Sequence, residues 1–136
     1  MKSVLHWLTR NGWTGAGPGP RGERIAERYL RKRKYKTLAR NLRTKLGEID
    51  LLVLSPDRKQ VILVEVKTSE NRTTAVRPEH RVGAAKQRKL TALAYKLQQQ
   101  HKLDGLGIRF DVVGVDLRDG ETPEVRHYEN AFEAAW

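Results

Sequence analysis

The spacing of apolar residues changes several times along this chain, and each change marks an element. From Gly22 to about Lys34, Ile25, Ala26, Tyr29 and Leu30 recur three and four residues apart, which predicts a helix with one apolar face. Glu23 falls in its first turn, where the helix dipole favours a carboxylate. Arg24, Arg28, Arg31, Lys32 and Arg33 lie mostly off the apolar face. Tyr35 to Asn41 reads as a short strand. Ile49 to Leu54 and Gln60 to Lys67 are almost continuously apolar and rich in β-branched residues, as strands covered on both faces are. The turn-forming run Ser55-Pro56-Asp57-Arg58 separates them. Residues 69–82 read as a polar loop containing Pro78. Ala84 to about His101 carries Leu90, Leu93, Ala94 and Leu97 at helical spacing. After a break at Asp104 to Gly107, Arg109 to Val115 is a strand, and Tyr128 to Trp136 is a tail. Helix, three strands, helix, strand predicts an α/β sandwich with a mixed central sheet flanked by helices.

Upstream, residues 1–14 have an amphipathic helical pattern with Val4, Leu5, Trp7 and Leu8 apolar. Gly15-Ala16-Gly17-Pro18-Gly19-Pro20 then breaks regular structure. The expected organisation is an arm and linker at residues 1–20, followed by one domain at residues 21–136. A length of 136 residues suits a single domain with a real core.

Two of the apolar strands contain charges. Asp50 closes Gly47-Glu48-Ile49-Asp50, and Glu65 and Lys67 interrupt Val64-Glu65-Val66-Lys67. A buried ionised group costs several kcal/mol unless it is paired or binds a metal. If Ser55 faces Gln60 across the turn, the same register sets Asp50 opposite Glu65, and Lys67, two residues on, points to the same face. Two carboxylates at that separation repel unless a cation lies between them. A hard cation taking oxygen ligands, Mg²⁺ or Mn²⁺, fits. Asp50 and Glu65 would be its ligands, with the Val66 backbone carbonyl a further one, and Lys67 would neutralise developing charge or orient water. Glu23 is the candidate fourth member. A structural ion-pair network is the alternative, but two acids with one lysine leave it unbalanced. Glu48 reads as an exposed strand residue and Asp111 as structural. His6, His80, His101 and His127 have no metal-ligand spacing and read as surface residues.

Charge adds a partner. The net charge is +11 and unevenly spread. Residues 21–45 carry eleven basic side chains against two acidic, and residues 66–102 carry nine against two, whereas residues 103–136 are net −5. This excess suggests a polyanion, most simply nucleic acid. Arg24, Arg28 and Arg31 on the first helix and Lys86, Gln87 and Arg88 on the second are the candidate phosphate contacts. With no cysteine, disulfides and thiolate metal sites are excluded. No apolar run is long enough to cross a bilayer and no cleavage-site pattern follows the start, so a cytoplasmic protein is expected.

These residues carry a resemblance. An Asp, then Glu-x-Lys about fifteen residues on, with a helix Glu before both, resembles the PD-(D/E)XK nuclease superfamily, including archaeal Holliday junction resolvases. More closely, the chain is similar to the YraN family of bacterial proteins. The matching residues include Gly22-Glu23, Ala26, Tyr29-Leu30, Asn41, Gly47 to Asp50, Val64 to Thr68, Lys86-Gln87, Arg109 to Val113 and Glu129 to Phe132. They span about residues 21–133. The resemblance implies a restriction-endonuclease-like sandwich, Asp50 and Glu65 as metal ligands, Lys67 as catalytic lysine and Glu23 as helix acid. Ile49 stands where the superfamily has proline, and Ser69 where family members often have a basic residue. The function expected is a Mg²⁺-dependent DNA endonuclease acting on branched DNA, RNA not being excluded, with a homodimer by analogy to resolvases. The alternative is a catalytically silent nucleic-acid-binding module of the same fold. An RNA- or ribosome-associated basic protein rests on charge alone.

Overall fold

In the computed structural model, residues 20–70, 82–101, 105–118 and 120–134 are described. Two helices, α1 (Arg21–Lys32) and α2 (Ala84–His101), cover opposite faces of one sheet. Its strands β1 (Lys36–Thr44), β2 (Gly47–Leu54), β3 (Gln60–Ser69), β4 (Gly107–Asp116) and β5 (Glu124–Tyr128) lie in chain order. All neighbours run antiparallel except β3 and β4, which are parallel because α2 carries the chain back between them. This is the α/β sandwich with a mixed sheet that the sequence predicts. The expected arm helix and linker at residues 1–19, and most of the loop at residues 69–82, lie outside the described residues.

Alternation divides the core. Leu52, Leu54, Val61, Leu63, Phe110 and Val112 pack under Leu90, Leu93, Ala94 and Leu97 of α2. Leu51, Val53, Ile62, Val64, Val113 and Val115 pack under Ala26 and Leu30 of α1. The continuous apolar runs in β2 and β3 follow from this two-sided cover. Helix α1 ends two residues earlier than its pattern suggests. Lys34 adopts a left-handed conformation (φ 74°), and the N–H groups of Lys34 and Tyr35 return to the carbonyls of Arg31 and Leu30. That closes the helix as a Schellman motif, with Tyr35 folding back onto Leu30 in the same core cluster.

Strand β5 replaces part of the expected tail. Glu-Val-Arg-His-Tyr shows little apolar alternation, and none of its five residues is fully buried, so periodicity gives no signal there. Beyond it Asn130 (φ 52°) turns the chain so that the Ala131 N–H reaches the Phe110 carbonyl, and Phe132 stacks on Phe110 at 4.7 Å.

The reading of His127 as a surface residue is wrong. Its side chain is only 7% exposed, and its Nε2 lies 2.7 Å from Asp111 Oδ2. Asp111 is structural, as expected, and fully enclosed. Arg109 grips both its oxygens at 2.8 and 2.7 Å, and the Asn130 N–H donates to Oδ1 at 3.0 Å. Burial pushes the Asp111 carboxyl up, but the bonds from His127, Arg109 and Asn130 hold it below the usual range. Strand pairing with β5 brings His127 there, and that strand was invisible to the pattern. Replacing Asp111 by alanine leaves the Arg109 guanidinium, 14% exposed, without its carboxylate. The expected loss is about 3–5 kcal/mol of unfolding free energy, measured by urea denaturation.

Candidate active site

The expected hairpin register is present, but it stops one pair early. Leu54 faces Val61, Val53 Ile62, Leu52 Leu63 and Leu51 Val64; Asp50 and Glu65, next in that series, are not paired. From Glu65 to Ser69, β3 keeps only β4 as its strand partner. The strands fork at this point, and the Asp50 carboxylate spans the fork. Its Oδ2 accepts the Val66 N–H at 2.9 Å, in the place of a strand carbonyl. The N–H and C=O of one strand residue point to the same side, so the Val66 carbonyl opens on this gap too.

A local irregularity on β1 accompanies the fork. Asn41 lies between the pairs Arg40–Leu51 and Leu42–Ile49, and it takes a left-handed conformation (φ 47°) that asparagine tolerates better than most residues. Ile49 and Leu52 both end up in the cluster under α2, although strict alternation would put them on opposite faces. The Asn41 side chain also lies near enough to Glu23 to pull its pKa down. Sequence reasoning missed this role, although an asparagine in a strand pattern is itself a signal of irregular backbone.

Both helices begin at this end of the parallel pair. A Cβ on Gly22 would lie 2.0 Å from Thr68 Oγ1, so α1 can start this close to β3 only with glycine there. That contact sets Glu23 beside the fork. From α2, Lys86 Nζ comes 3.5 Å from Glu65 Oε2, while Lys67 Nζ lies 3.7 Å from Glu65 Oε1. Ligand sites in open α/β sheets lie at the carboxyl ends of parallel strands, as this one does.

The electrostatics are strained. Burial, then the charge of Glu65, push the Asp50 carboxyl up to about 6, against the pull of the Val66 N–H and of Lys86. Burial and the charge of Asp50 also push Glu23 up, although the polar Asn41 side chain pulls it down. Glu23 Oε2 and Glu65 Oε2 are buried without a hydrogen-bond partner. For Glu65 Oε2 the Lys86 contact is a charge pair at long distance, so that oxygen remains short of a directional donor. Among the described residues, no three acidic or histidine side chains are gathered closely enough to ligate one ion together.

Asp50, Glu65, Lys67 and Glu23 thus share one field, and Val66 supplies main chain to it. Lys86 joins them directly. Glu48 is exposed and pairs loosely with Arg43 at 3.7 Å. Gln87 is turned to its own helix start, its Nε2 donating to the Val82 carbonyl at 2.7 Å. Arg88 is exposed on α2. Arg24, Arg28 and Arg31 line a groove between α1 and β1.

Two outcomes follow. An acid whose folded pKa lies above its unfolded value destabilises the fold progressively as pH rises between the two. For Asp50 that window runs from about 4 to about 6. Asp50→Asn keeps an acceptor for the Val66 N–H, so in chelator-treated protein it should match wild type near pH 4. Above pH 6 it should be more stable by on the order of 2–3 kcal/mol, read by thermal unfolding across pH. Gly22→Ala should lower stability by about 1–3 kcal/mol through overpacking against Thr68, and Thr68→Ala in the same chain should recover part of that loss.

A family model described as "Uncharacterised protein family UPF0102" matches residues 22–115. The chain is 36% identical over 118 residues to a UPF0102 protein of Pelobacter propionicus, covering 87% of this chain and 84% of that one. With a UPF0102 protein of Geotalea uraniireducens the identity is 39% over 118 residues, covering 87% and 91%. With one of Syntrophotalea carbinolica it is 41% over 112 residues, covering 82% and 88%. Among solved structures, Pyrococcus furiosus SfsA in complex with Ca²⁺ is similar at 17% identity and a TM-score of 0.39, covering 86% of this chain and 74% of that one.

Proposed function

The chain belongs to the uncharacterised protein family UPF0102, the YraN family, and we propose that it is a metal-dependent nuclease of the PD-(D/E)XK type, cutting phosphodiester bonds in DNA at the β2–β3 fork. The observation that carries this reading is Asp50 itself. It leaves the ladder where continued pairing was available, and it stands ionisable beside Glu65 at a site that raises its pKa to about 6. Carboxylates perturbed by burial and by one another cluster at functional sites.

The residues present fit a hard divalent cation. Glu65 has an unpartnered buried oxygen, Asp50 has Oδ1 besides the oxygen that takes the Val66 N–H, and the Val66 carbonyl opens on the fork. Mg²⁺ is commonly held by only one or two carboxylates with water filling its other positions, so the want of a third acid is compatible with it. When bound, Mg²⁺ or Mn²⁺ would supply charge neutralisation at the phosphate and a more acidic water. The protein's part is to position and to balance charge. Lys67, held over Glu65, places an ammonium where negative charge grows on the phosphate oxygens. Glu23, its pKa raised by burial and by Asp50 against the pull of Asn41, is suited to hold a proton for the leaving oxygen. Arg24, Arg28 and Arg31 on one side and Lys86 and Arg88 on the other would hold the DNA backbone, and a homodimer would bring two such sites to paired strands. No helix among the described residues is long and apolar enough to cross a membrane.

One observation favours a second reading, a binding module of the same fold without turnover. Lys67 and Lys86 already neutralise Glu65 between them. The two readings separate in one experiment on branched, nicked and single-stranded DNA with Mg²⁺, Mn²⁺ or chelator. A nuclease should cleave at least one substrate only with metal, lose cleavage in Asp50→Ala, and lose about 10²–10³-fold in Lys67→Ala. Salt-sensitive binding that survives Asp50→Ala, with no cleavage and no saturable Mn²⁺ site by calorimetry, would leave the binding module.

A further inference from the structure

The arginines of α1 do not stand alone. The groove they line, about 660 Å³ in volume, has Arg40 of β1 as its opposite wall, and it continues past Arg31 and Arg40 into a second groove of about 460 Å³. The second part is lined by Lys34, Lys36 and Arg58. Five basic side chains line each part and two are shared, so eight cations face a single acid, Glu27. That acid is already taken, with Arg40 Nε at 2.8 Å and Thr37 Oγ1 at 2.7 Å. So many like charges lining one trough repel one another.

The far end is built at a conformational cost. Lys34 and Arg58 both hold left-handed backbone, with φ of 74° and 64°, where glycine or asparagine is the unstrained choice. They are also tied together, the Arg58 guanidinium donating to the Lys34 carbonyl at 3.1 Å. Left-handed backbone closes α1 at Lys34 and the hairpin turn at Arg58, and at both positions a cation facing the trough stands where glycine or asparagine would serve the backbone as well. Lys36 pairs with Leu54, four residues along β2 from Asp50, so this end lies roughly 13 Å of strand away from the fork. The near end begins at Arg24, next in the chain to Glu23. Arg40, shared by both parts, pairs with Leu51, the residue after Asp50, so the trough passes beside the fork and leads away from it.

We propose that the trough between α1 and β1 is a track for a nucleic-acid backbone, holding the phosphates of a strand that extends from the fork past Arg31 and Arg40 to Lys34, Lys36 and Arg58. A concave path suits a chain of phosphates better than a flat membrane surface. On α1, Arg24, Arg28 and Arg31 follow at helical spacing, roughly 5–6 Å apart, so that successive guanidinium forks meet successive phosphates. An acidic polypeptide has carboxylates that these arginines also bind, but nothing in it fixes that spacing. The inference rests on the nuclease reading for the identity of the strand. It extends that reading to residues on the sheet side, and it makes affinity depend on substrate length.

The test uses full-length Asp50→Asn protein in chelator, so that cleavage plays no part, and fluorescence anisotropy with labelled DNA of increasing length. Lys34→Gly relieves a strained backbone, so it should leave thermal stability unchanged or raised; Lys36→Glu alters an exposed side chain. Both should bind long DNA more weakly than the parent does, while binding the shortest DNA that still reaches the fork equally well. The slope of log affinity against log salt should fall by about 0.9 per lost contact on duplex, or about 0.7 on a single strand. Parent-like affinity and slope on long DNA in both variants would overturn the track. So would polyglutamate displacing the DNA as effectively as unlabelled DNA of equal charge. Metal-dependent cleavage by the wild-type protein is scored separately, so the nuclease reading and the track can fail independently.

Discussion

The hydrogen bond from the Val66 N–H to the Asp50 carboxylate governs the working end of this protein. A strand N–H must be satisfied, and in an unbroken sheet a carbonyl of β2 would do it. Here a side chain does, and the consequences follow in order. The β2–β3 ladder can end at Leu51–Val64 without orphaning the next donor. The last residues of β3 lose a strand neighbour and gain access to the start of α1. Glu65 and Lys67, which an unbroken ladder would close over, lie at an opening. The carboxylate that holds the fork open is the one whose ionisation the fork penalises, because it is buried and faces Glu65.

The rest of the fold is arranged to withstand that penalty. Large aliphatic side chains fill both faces of the sheet, and two other buried carboxylates are well answered. Glu27 is held by Arg40 and Thr37, and Asp111 by Arg109, His127 and the Asn130 N–H. Those two acids have pKa values below the ordinary range, whereas Glu23 and Asp50 have theirs above it. The division separates acids that stabilise the fold from acids that strain it, and the strained ones are together. On the proposed reading, a bound cation would relieve that strain, because opposite charge favours the ionised carboxylates.

Charge is divided in a similar way. Lys67 and Lys86 are engaged with Glu65 at the fork, while the cations along α1 and β1 far outnumber the one acid among them. Local ion pairs and a long-range field therefore occupy different parts of the molecule, and on the proposed reading the second would give a polyanion a path to the first.

Much of this was legible in the residues. Continuous apolar runs gave β2 and β3 their two-sided burial, helical spacing gave α2 its bounds, and counting back from the Ser55–Gln60 turn gave the right register, because register in a hairpin is set by its turn. The charges of Asp50, Glu65 and Lys67 were conspicuous because ionised groups in apolar strands are costly. Other features depended on contacts distant in the chain. Strand β5 has no periodicity of its own and exists because β4 offers an edge; His127 is buried only because that pairing carries it to Asp111. The fork one pair short of Asp50, the left-handed turn at Asn41 and the approach of Gly22 to Thr68 all require segments apart in sequence to meet, which no local pattern records. Periodicity and charge thus determined which residues had to be explained, because burial and ionisation are properties of a position and its near neighbours. Only tertiary structure decided how they meet, because a side chain replaces a strand partner only where the packing of both helices holds the strands apart.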